Sequence, residues 1–135
     1  MFSCNDDDDC GACNDAPQSF TFDIVDSDTR ENLFTNGTYD PDQIEIVNIF
    51  NGDPANFQYV DSNNLNYIQI NNIGLETEIV SMRVTIANDS IFGLFVDTER
   101  IQKECCFENI YNEIQVSGSE YEYDTISDLY TILVD

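Results

Sequence analysis

The sequence predicts an all-β fold: an immunoglobulin-like or related β-sandwich of about seven to nine short, mostly antiparallel strands. Three observations predict it. Apolar residues recur at every second position in short runs, the signature of strands with one buried face. Clusters of Asn, Asp, Gly and Pro, residues that turn a chain, separate those runs. No segment carries a helical stripe over about ten residues or more.

The chain divides into a tail, residues 1–18, and a sandwich domain, residues 19–135. Phe20, Phe22 and Ile24 alternate with Thr21, Asp23 and Val25 and read as the first strand. Asp26-Ser27-Asp28-Thr29 turns the chain. Asn32 to Thr35 reads as a short strand ending at the turn signal Asn36-Gly37, and Tyr39-Asp40-Pro41-Asp42 as another turn. Ile44, Ile46, Val47, Ile49 and Phe50 make a longer strand closed by Asn51-Gly52-Asp53-Pro54. Phe57 to Val60 is short, Asp61 to Asn64 a turn, and Tyr67, Ile68 and Ile70 the next strand.

Glu78 to Ala87 gives the clearest alternation. Asn88-Asp89-Ser90 reads as a hairpin loop and Ile91 to Val96 as the return strand. Thr98 to Glu104 is polar, a loop or one helical turn. Phe107 to Val116 fits both a helical and a strand period, and strand is favoured. Ser117-Gly118-Ser119 turns the chain towards Tyr121 to Tyr123 and the closing run Leu129 to Val134.

Composition narrows the function classes. The 135 residues hold 27 acidic and 4 basic side chains, a net charge of −23. Nucleic acid is a poor partner, because its binding needs Lys and Arg to displace condensed counterions. An anionic lipid surface repels such a domain too. Membrane attachment therefore has to be covalent or through another protein. There is no His, so the commonest general acid–base group near neutral pH is missing. The expectation is a non-catalytic protein. An enzyme using carboxylates or Cys10 and Cys13 is the weaker alternative. No stretch has the length of a transmembrane helix.

The motifs concentrate at the start. Met1 to Ser3 has neither the basic n-region nor the apolar h-region of a signal peptide. Phe2-Ser3-Cys4 nevertheless resembles the end of a bacterial lipobox, with Cys4 as the acylated residue. The solvated acidic run Asn5, Asp6, Asp7, Asp8 and Asp9 resembles the export signal of Bacteroidetes lipoproteins. The reading requires that the rest of the signal was trimmed, or that the start was assigned to an internal Met. Two or more acyl chains, at about 0.8 kcal/mol per buried CH₂, hold a protein stably at a membrane.

Four further cysteines, Cys10, Cys13, Cys105 and Cys106, make an even number in an exported chain and imply two disulfides. Cys10-x-x-Cys13 has redox spacing, but it sits in an acidic tail before an all-β domain, where nearby carboxylates raise a thiol pKa. A four-thiolate zinc site outside the cell is disfavoured. Cys105 and Cys106, if in a strand, point to opposite sides. The favoured arrangement pairs Cys10 and Cys13 each with one of Cys105 and Cys106; a local Cys10–Cys13 bond is the rival.

Asp26, Asp28, Asp40 and Asp42 are the weak calcium candidates, and no other cofactor is expected. None belongs to a full calcium loop, and aspartate is also simply a good turn residue. Tyr121 and Tyr123 suit a glycan, a protein partner or same-face packing equally. Asp89-Ser90-Ile91 and Asp124-Thr125-Ile126 resemble the O-glycosylation pattern of exported Bacteroidetes proteins, with Ser90 and Thr125 as acceptors.

Phe22 to Thr29, Glu31 to Phe34, Tyr39 to Ile44, and Glu104-Cys105-Cys106 with Val116-Ser117-Gly118 resemble small uncharacterised Bacteroidetes surface lipoproteins. That resemblance implies an immunoglobulin-like or related sandwich, anchored by lipid at the outer membrane and exposed at the cell surface. It implies no activity. The functional expectation is a binding or accessory module with a protein or glycan ligand; a calcium-dependent adhesion or glycan-binding module is the alternative.

Overall fold

The computed structural model describes residues 16–135. Cys4, Asn5 to Asp9, Cys10 and Cys13 lie outside the described residues. Ten strands follow in order: β1 (Phe20–Asp26), β2 (Ile44–Asn48), β3 (Asp53–Pro54), β4 (Gln58–Val60), β5 (Tyr67–Ile70), β6 (Glu78–Ile86), β7 (Asp89–Lys103), β8 (Cys106–Ser117), β9 (Glu120–Asp124) and β10 (Leu129–Val134). They form two five-stranded sheets, ordered β4-β5-β1-β10-β9 and β3-β2-β6-β7-β8. The expected all-β sandwich is the observed one. Consecutive β6, β7 and β8 lie side by side in one sheet, unlike the ABED and CFG sheets of immunoglobulin domains, so this is a related sandwich.

Pairing is antiparallel except at one place. The first and last strands run parallel in the middle of their sheet, with Thr21 opposite Leu129 and Asp26 opposite Val134. Alternation then decides what each sheet buries. Phe20, Phe22, Ile24, Ile68, Ile70 and Ile132 face inward from the first sheet, and Val80, Met82, Val84, Ile86, Leu94 and Val96 from the second. The ring of Phe22 meets that of Phe92 at 4.7 Å between centroids, joining the two layers.

The structure corrects several expectations. Ten strands stand where about seven to nine were expected: Asp53 and Pro54, expected in a turn, pair with β2, and Asp89 and Ser90, expected in the hairpin loop, already pair with β6. Asn32 to Thr35 is not a strand: beyond one bridge between Val25 and Asn32 it is a turn. Asn32 Oδ1 accepts from the backbone N–H groups of Phe34 and Thr35, each at 2.9 Å. The bend drives consecutive Leu33 and Phe34 into the core, which a half-buried strand cannot do.

The strand expected to reach Phe50 stops at Asn48. Asn48 accepts from Gly52 N–H at 2.7 Å and, through Oδ1, from Phe50 N–H at 3.2 Å. Ile49 and Phe50 are left exposed in the turn. The polar stretch Thr98 to Glu104 is neither loop nor helix but the outer half of β7, a strand of 15 residues. With β8 it forms a long arm.

Two bulges adjust the second sheet. One falls at Ile91, between the pairs Val84–Phe92 and Thr85–Ser90, and lets Ile91 and Phe92 both be buried. The other falls at Asn112, between Asp97–Glu113 and Thr98–Tyr111. A bulge bends and twists a strand, and this one sits where the arm leaves the sandwich. The hairpin between β6 and β7 turns on Ala87 and Asn88, both at positive φ (53° and 70°), the geometry of a tight two-residue turn.

Candidate functional site

The described chain comes in beside the arm. Gln18 N–H donates to Tyr111 Oη at 2.8 Å, and the Tyr111 ring stands edge-on to buried Phe20 at 6.2 Å. Tyr111 on β8 thus seats the start of β1. The arm ends in the turn Glu104-Cys105, with Glu104 at φ 57°, and Cys106 opens β8. Cys105 is exposed on the turn and Cys106 is half-buried at the strand end. Both are disulfide-bonded. A cavity of about 570 Å³ separates Ala16 from the tip, lined there by Lys103, Glu104, Cys106 and Phe107. The end of the tail and the cysteine-bearing tip are therefore neighbours.

A polar knot fixes the base of the arm. Thr98 is fully buried; its Oγ1 donates to the Ile110 carbonyl at 3.0 Å and accepts from Asn109 Nδ2 at 3.1 Å. Asn109 Nδ2 also donates to the Gly74 carbonyl at 2.8 Å, and Arg100 donates to Asn109 Oδ1 at 2.9 Å. The Arg100 guanidinium lies 5.0 Å over the Phe107 ring. Glu78 Oε2 accepts from Gly74 N–H at 2.7 Å, and Thr77 Oγ1 from Arg100 N–H at 2.9 Å. These bonds tie the loop before β6 to the arm.

The aspartate candidates are placed as turn formers. Asp26 Oδ1 accepts from the N–H groups of Asp28 and Thr29 at 2.8 and 3.0 Å. Those backbone donors, Thr29 first, hold its carboxyl below the ordinary aspartate value. Asp40 caps the 3-10 turn Pro41–Gln43 in a capping box with Gln43. Asp28 and Asp42 are exposed. Among the described residues no three acidic, His or Cys side chains converge as metal ligands would, so the four candidates are not brought to one point. Ser90 is exposed at the start of β7, and Thr125 is exposed in the turn between β9 and β10.

Tyr121 and Tyr123 lie on edge strand β9, on the same face as Tyr130. Tyr123 is directly opposite Tyr130, their rings 4.5 Å apart. Tyr121 reaches Tyr130 at 6.2 Å, and Tyr130 meets Phe22 at 5.3 Å. A continuous aromatic row runs from the core to the sheet edge, where Tyr121 and Tyr123 keep 43% and 40% of their surface. Same-face packing accounts for their spacing, and the remaining exposure leaves a shelf. Tyr123 Oη donates to Asp128 Oδ1 at 2.6 Å. That bond, with smaller contributions from burial and nearby charge, pushes the phenol up to about 12.

The knot residues Gly74, Thr98, Arg100 and Asn109 were invisible to sequence reasoning. They come from two strands and a loop, and no spacing joins them. The one available signal was the lone Gly between apolar Ile73 and Leu75, a mark of close backbone approach. No family model matches the chain, and neither a curated protein nor a solved structure matches it. Its class rests on the fold: a two-sheet all-β sandwich with a long hairpin arm.

Proposed function

We propose that this protein is a lipid-anchored, non-catalytic cell-surface module with a binding or accessory role, held at the outer membrane through Cys4 and the acidic tether that follows it. Its start resembles that of Bacteroidetes surface lipoproteins. The observation that carries the reading is the meeting of the tail's end with the arm tip. Gln18 is held by Tyr111, and Ala16 and Cys106 line one cavity. Disulfides from Cys10 and Cys13 to Cys105 and Cys106 would clamp the tether at that end, each contributing about 2–4 kcal/mol. The β6–β7 turn and the Ser117–Ser119 connection, at the other end, then face away from the membrane. A net charge of −23 keeps the domain body off anionic lipid, so a covalent anchor suits it.

Intact-mass measurement of the membrane-extracted protein tests the proposal. A chain starting at Cys4 with added acyl mass supports it; an unmodified Met1 terminus overturns the anchor. Peptide mapping without reductant tests the clamp. Fragments joining residues 10–13 to residues 105–106 support it, and a closed Cys10–Cys13 fragment defeats it.

A further inference from the structure

On the edge of the sandwich opposite the tyrosine shelf, a cleft of about 330 Å³ opens between the β2–β3 turn and the end of β5. Its floor is apolar, made by Ile70, Ile73, Val80 and Met82, all buried core residues. Its rim is rich in amides: Asn48, Asn51, Asn56 and Asn72. Asn48 Oδ1 accepts from the N–H groups of Phe50 in the turn and Ser81 on β6, and Asn51 Oδ1 from Asp53 N–H; among the described residues neither side-chain NH₂ group has a protein acceptor. Asn56, Asn72 and Asp53 make no side-chain hydrogen bond among the described residues. We propose that this cleft binds a single neutral sugar residue, its C–H face on the apolar floor and its hydroxyls on the asparagine rim.

The chemistry selects that ligand class by elimination and by fit. No Lys or Arg lines the cleft, so phosphates, carboxylates and sulfated groups meet only the Asp53 and Glu78 carboxylates and a net charge of −23. A divalent cation needs about six to eight converging oxygens. Here one of the two carboxylates, Glu78, already accepts from Gly74 N–H at 2.7 Å. No aromatic side chain lines the cleft, so a flat heterocycle finds no stacking partner.

A sugar hydroxyl both donates and accepts, and so does each asparagine amide. The volume lies at the small end of the roughly 300–1,000 Å³ range of ligand pockets, which fits one ring rather than a chain. The inference goes beyond the anchoring proposal and does not rest on it. It is tested on unlipidated full-length protein, so either can fail alone.

The experiment is an NMR titration of the asparagine side-chain NH₂ signals with glucose, galactose, mannose, N-acetylglucosamine and N-acetylgalactosamine. Calcium chloride and a tetralysine peptide serve as counter-probes. At least one sugar is expected to shift the signals of Asn48, Asn51, Asn56 and Asn72 with saturation in the millimolar range. Asn56→Ala and Asn72→Gly remove rim hydrogen bonds; the second keeps the positive φ of 69° available. Each is expected to weaken binding about 3- to 10-fold, the worth of one neutral hydrogen bond. Tyr121→Ala on the far edge is expected to leave it unchanged. The proposal is overturned if no sugar shifts the four signals, if the Asn56→Ala/Asn72→Gly double variant binds as tightly as the parent, or if only calcium or tetralysine shifts them.

Discussion

Among the described glycines, Gly74 leaves the least room for a Cβ, and replacing it gives a prediction that can be worked through. Its φ is +104°, and a Cβ there would collide with Asn109 Nδ2 and stand 3.3 Å from Thr98 Cγ2. Gly37 is the natural control, with φ +83° and nothing within 4 Å of an added Cβ. Gly37→Ala therefore carries the backbone cost alone, about 1 kcal/mol. Gly74→Ala carries about 1–2 kcal/mol of backbone strain. It also displaces Asn109 from its bonds to the Gly74 carbonyl and Thr98 Oγ1 (2.8 and 3.1 Å), each worth about 1 kcal/mol.

The total for Gly74→Ala is about 3–4 kcal/mol, or a fall in Tm of roughly 10–15 °C for a chain of this size. Urea denaturation without reductant measures both variants. In the Asn109→Ala background the collision is gone, so Gly74→Ala should cost about the same as Gly37→Ala, a coupling of at least about 1 kcal/mol. Equal losses for the two glycines, or strict additivity with Asn109→Ala, would refute the steric argument and with it the knot as the arm's fixing point.

Thr98→Val keeps the shape of a fully buried side chain but removes the hydroxyl that serves Ile110 and Asn109. It should cost about 1–3 kcal/mol in the same denaturation assay. Asp128→Asn should bring the Tyr123 phenol down from about 12, read by ultraviolet titration of the tyrosinates; an unmoved midpoint would sink the hydrogen-bond account. Burial raises the Asp23 carboxyl, with the 2.7 Å bond from Asn32 opposing it. A raised folded-state value means that the protonated acid suits the fold, so its penalty appears as pH rises through that value. Asp23→Asn should therefore stabilise the protein at pH 7, and the gain should vanish below about pH 3.9, the unfolded aspartate value. A gain that persists at low pH would contradict the titration argument.

What the sequence made legible was the part governed by alternation over a core. Val80, Met82, Val84 and Ile86 announced β6 because each buries the same face. Phe20, Phe22 and Ile24 did so for β1. The outer half of β7 was hidden because its partners are polar and lie across the hairpin rather than in the core. Arg100 faces Asn109, and Lys103 approaches Glu108 at 3.5 Å. Asn32 misled for a related reason: a side chain that bonds to the backbone two and three residues on overrides the strand preference of Leu33 and Phe34. The aspartate turns were recognisable from local chemistry. The asparagine-lined cleft was not, since Asn48 and Asn72 become neighbours only when two sheets close.

The parallel pairing of β1 with β10 has a consequence for the order of assembly. β10 fills the middle of its sheet, so a nascent chain that has emerged only as far as β9 holds two unjoined pieces, β4-β5-β1 on one side and β9 on the other. Ile132, fully buried in the finished domain, is synthesised only after all nine preceding strands. Contacts between the far ends of a sequence come at a high loop-closure cost and slow folding. The second sheet, built mainly from the local hairpins β6-β7 and β7-β8, has no such wait and is expected to form first. The core then closes in one late step, when the final strand docks between β1 and β9.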